Sequence, residues 1–309
     1  MNHLESVFTG KNNLWRYIVM IAIVLIATNT FGALPFLIVF AIKTISNPAI
    51  MSQPSETNFD INALGVDPNI SLAMLIFPFI AGLVAFSLLV KPLHNKTLIN
   101  IINGTGNIRW NRYFISAFIW FLLSAVYLLV FTRLNPENFL LNNTSDSLII
   151  LALVSILFIP FQAGLEEILF RGYFMQGFAF ASGNRWFPLV MSSLLFGLLH
   201  SFNPEVKALG FLTMMPQYIL FGLIFGLITI FDDGIEAAMG AHAANNIFLC
   251  ILLTNKSATL QTPALYEQLI IYPWTDLIAL LLIGLLFILI LSRVFGWVNY
   301  SILLKKIKI

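Results

Sequence analysis

Charge is scarce in this 309-residue chain: Asp, Glu, Lys and Arg together make up 10% of it, against about 25% in a soluble globular protein. So little charge excludes a fully water-exposed surface, and the 59% apolar content excludes disorder. Cysteine occurs once, as Cys250 in the run FLCILL. That excludes an intrachain disulfide and a cysteine-based metal cluster and leaves a buried, inert thiol. The formal charge of +2 comes without a basic patch interleaved with aromatics, so neither nucleic acid nor nucleotide is expected as a partner. No internal repeat suggests the inverted halves of a transporter.

What the chain has is long apolar runs. A bilayer core of about 30 Å needs about 20 apolar residues in a helix. Runs near that length extend over residues 17–42, 71–90, 113–131, 148–180, 186–200, 211–231, 234–253 and 274–295. The expectation is an all-α, polytopic transmembrane helix bundle of about eight spans, one domain over residues 1–309, with the lipid bilayer as its surroundings. The first run is longer than the 7 to 15 residues of a signal peptide core and reads as a retained anchor. The 13 prolines are compatible with such a bundle, because neighbouring helices re-satisfy interrupted backbone hydrogen bonds.

Basic residues gather at cytoplasmic ends. An even number of crossings puts both termini on one side, with Lys11, Arg16, Lys91, Lys96, Arg109, Arg112, Arg185, Arg293, Lys305, Lys306 and Lys308. The other side holds only Lys43, Arg133, Lys207 and Lys256, together with Glu56, Asp60, Asp67, Glu137, Asp146, Glu205, Glu267 and Asp276. An integral protein of a bacterial cell membrane with both termini cytoplasmic is expected. Asp232, Asp233 and Glu236 go against this pattern, since they fall on the cytoplasmic side.

Ionisable side chains inside apolar spans are costly and mark a site or a buried pair. They occur here in EEILFR (Glu166 to Arg171), FGLLH (Phe196 to His200) and HAANN (His242 to Asn246), within a stretch of about 148–254. Residues four apart share a helix face while adjacent ones diverge by about 100°. Glu167 therefore reaches Arg171 as a structural pair, and Glu166 is left free as a general base or metal ligand. The same spacing sets Phe196 above His200 and His242 beside Asn246. At 1.5 Å per residue these groups lie about 12 to 21 Å in from the presumed cytoplasmic ends, a common depth. Asn245, on another face, reads as structural. Gly222 and Gly226 in FGLIFG form a small-xxx-small face suited to close helix packing.

In order and spacing, Glu-Glu-x-x-x-Arg, Phe-x-x-x-His and His-x-x-x-Asn resemble the motifs of the type II CAAX prenyl endopeptidase family, which includes bacteriocin-processing and immunity proteins. The resemblance covers about residues 160–250. It implies an intramembrane endopeptidase acting on membrane-embedded or lipid-anchored peptides or proteins, with Glu166 and His200 activating water. His242 and Asn246 would stabilise the oxyanion, with Glu167, Arg171 and Phe196 in structural support.

Zinc or no cofactor both remain open. As a metalloprotease the chain would use Glu166, His200 and His242 as ligands, although no HExxH pair occurs. The alternatives are a catalytically silent immunity or partner-binding protein with the same fold, or a proton-coupled transporter. A hydrated opening is expected towards the cytoplasmic half. The acidic run Asp232-Asp233-Gly234-Ile235-Glu236 departs from the small apolar approach of relatives and suggests a preference for basic residues near the scissile bond.

Overall fold

The computed structural model describes residues 3–47, 65–142 and 145–307. Glu56, Asp60 and Lys308 of the charge comparison lie outside the described residues, as does the side chain of Asp146. The helices are α1 (Leu14–Asn29), α2 (Leu34–Ser46), α3 (Pro68–His94), α4 (Leu98–Ile102), α5 (Trp110–Leu134) and α6 (Ser145–Glu167). They continue with α7 (Met175–Ser182), α8 (Trp186–Leu199), α9 (Pro204–Leu209), α10 (Phe211–Asp232), α11 (Glu236–Leu252) and α12 (Pro273–Phe295). Between α6 and α7 the chain stays helical but widens into a π-helix over Ile168–Phe174.

Among the described residues six helical segments are long and apolar enough to cross a membrane: Leu14–Ser46, Pro68–His94, Trp110–Leu134, Leu148–Ser182, Phe211–Asp232 and Pro273–Phe295. Two of the eight expected runs form shorter helices. The 14 residues of α8 and 17 of α11 reach about 21 and 26 Å at 1.5 Å per residue. In α11 the reason is its place: Ala237, Ala238, Ala241, Ala243 and Ala244 are all buried. Small residues let it sit between α5 and α6. A Cβ on Gly240 would stand 2.1 Å from the Tyr113 carbonyl oxygen of α5, so only glycine permits this approach. Gly222 and Gly226 pack α10 against α8 as the small-residue spacing predicts, a Cβ on Gly222 meeting Ser193 Cα at 2.7 Å.

Both described ends of the chain lie at one end of the bundle. Ile307 N donates to the Gly183 oxygen at 2.9 Å, Arg185 Nη1 to the Lys305 oxygen at 3.0 Å, and His3 N to Asp233 Oδ1 at 2.6 Å. The acidic residues that went against the charge pattern belong to this network. Arg109 bonds Glu236 at 2.6 Å and Asp232 at 3.3 Å, and Arg112 reaches Asp232 at 3.3 Å. Asp232 and Glu236 are paired with arginines, Asp233 accepts from the His3 backbone, and none of the three lines the cavity at the motifs, so the acidic run is not placed to favour basic residues near a scissile bond.

The opposite end carries a feature that hydropathy does not announce, a sheet in the order β1-β3-β2. Strand β1 (Phe139–Leu141) runs antiparallel to β3 (Tyr266–Gln268), and β2 (Leu253–Thr254) pairs parallel to β3. Strands of two and three residues are too short to produce a periodic pattern.

Candidate active site

The three motifs meet where α6, α8 and α11 pass one another. Glu166 and Glu167 form the last turn of α6, immediately before the π-helix that holds Arg171. A π-turn inserts an extra residue into the helical ladder and frees backbone groups, a device common at functional sites. One freed group is accounted for by the N-terminus, since His3 Nε2 lies 3.1 Å from the Arg171 carbonyl oxygen. Burial holds the His3 imidazole below its usual range.

Glu167 and Arg171 pair as their spacing predicts, at 2.9 Å, and both are fully buried. Three aromatic rings enclose the guanidinium, Phe196 at 4.3 Å, Phe225 at 5.6 Å and Phe170 at 6.0 Å. The pair is not isolated, however. Glu167 Oε1 also accepts from His242 Nδ1 at 2.8 Å, so one carboxylate oxygen joins Arg171 to the motif on α11.

The helix-face reasoning that sent the two glutamates in different directions is thereby corrected. His242 presents a nitrogen to each: Nδ1 to Glu167, and Nε2 to Glu166 Oε2 at 3.6 Å. Two long side chains 100° apart on one helix can both reach an imidazole that enters from a neighbouring helix, because its nitrogens lie on opposite sides of the ring.

Glu166 is 5% exposed. Its Oε1 accepts from Gln162 Nε2 at 3.0 Å, while its Oε2 accepts no hydrogen bond. Gln162 Oε1 in turn accepts from Asn246 Nδ2 at 3.0 Å, which uses one of that amide's two N–H groups. Asn246 Oδ1 accepts from Asn245 Nδ2 at 3.0 Å, and Asn245 Oδ1 from Trp120 Nε1 at 3.2 Å. Asn245, which also lines the cavity, thus links Asn246 to Trp120.

His200 closes α8 with its Nδ1 2.7 Å from the Phe196 oxygen. A carbonyl only accepts, so Nδ1 carries a proton, and in that tautomer the lone pair is on Nε2. The ring stacks on Tyr218, centroids 4.5 Å apart and planes at 23°, while Phe196 touches both histidine rings, at 4.5 Å to His200 and 6.0 Å to His242.

Glu166, His200, His242 and Asn246 all line one cavity of about 520 Å³. It extends to Asn203, Glu205, Asn255 and Thr259, the loops at the sheet end. The opening thus lies at the end opposite the termini, not at their end as expected. The terminal end is closed by the arginine–carboxylate network, and α8 delivers His200 at its far end.

The zinc ligand set proposed from the motifs is not assembled. Among the described residues no three His, Cys, Asp or Glu side chains are placed to hold a metal ion. His242 Nδ1 is engaged by Glu167, and His200 is turned to Tyr218. The donors present do not fit a three-ligand zinc site.

Two participants escaped the sequence reading. Gln162 precedes Glu166 by four residues inside an apolar run, a signal that was available. Tyr218 lay in the polar-poor run of α10, and nothing local marks it as a neighbour of His200.

No solved structure matches the chain. It is 28% identical over 260 residues to the uncharacterized protein YyaK of Bacillus subtilis (strain 168), a match covering 84% of each chain. Residues 145–248, the stretch from α6 into α11 that carries all three motifs and the buried His/Glu cluster, match the family model described as type II CAAX prenyl endopeptidase, Rce1-like.

Proposed function

We propose that the protein is an intramembrane endopeptidase that hydrolyses peptide bonds of membrane-embedded or lipid-anchored substrates with water activated by Glu166 and His200. The observation that carries this reading is Glu166 Oε2: a buried carboxylate oxygen with no hydrogen bond, in a cavity shared with His200, His242 and Asn246. A buried acceptor without a donor is expensive, and a substrate water would supply the donor.

In the proposed reaction, water attacks the scissile carbonyl carbon and its proton passes to Glu166 Oε2 or His200 Nε2. The carbonyl oxygen becomes an oxyanion beside the remaining N–H of Asn246 and, in its protonated form, His242 Nε2. Neutral and cationic donors fixed before the reaction stabilise this charge most where water is excluded. Collapse of the tetrahedral intermediate breaks the C–N bond, and the stored proton is handed to the leaving amine. Glu167 holds His242 by Nδ1, Arg171 keeps Glu167 in place, and no step requires a metal ion.

The basic residues at the terminal end support a cytoplasmic location for it, in a bacterial cell membrane, which puts the cavity opening on the outer side. The test is cleavage of a membrane-embedded peptide by purified protein, rates normalised to monodisperse protein. E166Q and H200A are each expected to lower turnover by about 10² to 10⁴. Wild-type turnover by E166Q would overturn the assignment.

A further inference from the structure

The charge of the cavity is one-sided. Among the described residues three carboxylates line it, Glu166, Glu205 and Asp276, and no Lys or Arg does. Elsewhere the bundle's buried carboxylates meet arginines, as Glu167, Asp232 and Glu236 do. Glu205 and Asp276 do not: among the described residues neither lies in an ion pair. Neutral donors fix them instead. Glu205 Oε1 accepts from the Tyr218 hydroxyl and, at 3.4 Å, from Asn203 Nδ2, while Oε2 accepts from Thr259 Oγ1 at 2.8 Å. Asp276 Oδ1 accepts from the Tyr127 hydroxyl at 2.7 Å.

A second observation places a ligand among them. Glu166, 5% exposed, lines the same space and holds a buried oxygen, Oε2, with no hydrogen-bond donor, His242 Nε2 lying 3.6 Å away. The rest of the wall is largely apolar and aromatic, including Trp120, Phe221, Phe225 and Phe248. Carboxylates held rigidly in such a wall, with no Lys or Arg among the described residues that line it, attract a positive charge more strongly than they would in water.

Resting on the proposed protease function, we infer that the substrate carries a cationic group, an ammonium or guanidinium, that docks against Glu205 and Asp276 while an apolar segment fills the aromatic part of the cavity. Glu205 also ties the specificity site to the chemistry, because the Tyr218 it bonds is the ring stacked on His200. The cation could be a Lys or Arg side chain, or the free α-amine of the peptide.

The experiment uses full-length E166Q protein in nanodiscs and a set of apolar peptides differing at one position, Lys, Gln or Glu, scanned along the chain with free or acetylated N-termini. Affinity is read by fluorescence anisotropy. One Lys position, or the free N-terminus, is expected to bind about tenfold or more tighter than its neutral counterpart. That ratio is expected to fall towards one when Glu205→Gln and Asp276→Asn are added. Loss of the preference on acetylation assigns the cation to the α-amine, and its persistence assigns it to a side chain. Equal binding of charged and neutral peptides, or a preference that survives the added substitutions, overturns the inference.

Wild-type protein is assayed for cleavage of the same peptides. Cleavage with no binding preference refutes the cation site and leaves the protease reading intact. A preference in binding without any cleavage by wild type does the reverse.

Discussion

Glu167→Gln tests whether one carboxylate serves both the buried arginine and the site histidine. The substitution keeps the side chain's shape and removes its charge. Arg171 and Glu167 are both fully buried, and the guanidinium already leaves Nε and Nη2 without hydrogen-bond partners. With the anion gone, the cation rests on aromatic faces, the nearest at 4.3 Å, each worth about 2 kcal/mol when desolvated. Breaking a buried pair by neutralising one partner costs about 3 to 5 kcal/mol, and the aromatic cage offsets little of this because it is present in both forms. The amide also gives His242 Nδ1 a weaker acceptor, so turnover should fall as well.

The assay is the unfolding midpoint in mixed detergent micelles, alongside cleavage rate. A double variant, E167L/R171M, separates the two effects. Replacing a buried ion pair with apolar residues of similar volume is often neutral or stabilising by about 1 to 4 kcal/mol, so stability should return while activity stays low, His242 having lost its anchor. Wild-type melting and wild-type turnover by E167Q would refute the reasoning, and recovery of activity in the double variant would remove His242 from Glu167's role.

Gly240→Val should separate α11 from α5, because the added Cβ meets the Tyr113 carbonyl at 2.1 Å. Overpacking of this kind costs about 1 to 3 kcal/mol, and a lowered unfolding midpoint with reduced cleavage checks it. Lys96, 4% exposed and donating to Gln176 at 2.9 Å, is lowered by burial from its usual 10.5 to about 7. Above about pH 7 the unfolded chain therefore binds more protons than the folded one, and stability should rise with pH up to about pH 10.5, by at most about 1.4 kcal/mol per unit. Lys96→Met should flatten that slope when midpoints are compared at about pH 7 and about pH 9. For orientation, cysteines placed at Asn107 and Leu140 in a Cys250→Ala background should label from opposite sides of the membrane, Leu140→Cys from outside intact cells. The opposite result would invert the orientation read from the basic residues.

The sequence by itself determined that this chain is a membrane helix bundle, because about 20 apolar residues in a row have no other low-energy setting than lipid or protein. It also singled out the ionisable residues inside the apolar spans. Ionisable groups cannot be scattered through apolar spans without cost, which marked Glu166, Glu167, Arg171, His200 and His242 for contact with one another, and local spacing was enough to join Glu167 to Arg171. Helix spacing could not say which groups would face each other across helices, since that depends on how α11 rotates and how closely Gly240 lets it approach α5. Only the tertiary structure decided that His242 lies between both glutamates, that Gln162 links Glu166 to Asn246, and that His200 stacks on Tyr218. It also decided where the cavity leads. Hydropathy is blind to the sheet end, built from strands of two and three residues, and to the fact that Asp232 and Glu236 are neutralised by arginines distant in sequence, whereas Glu205 and Asp276 are not.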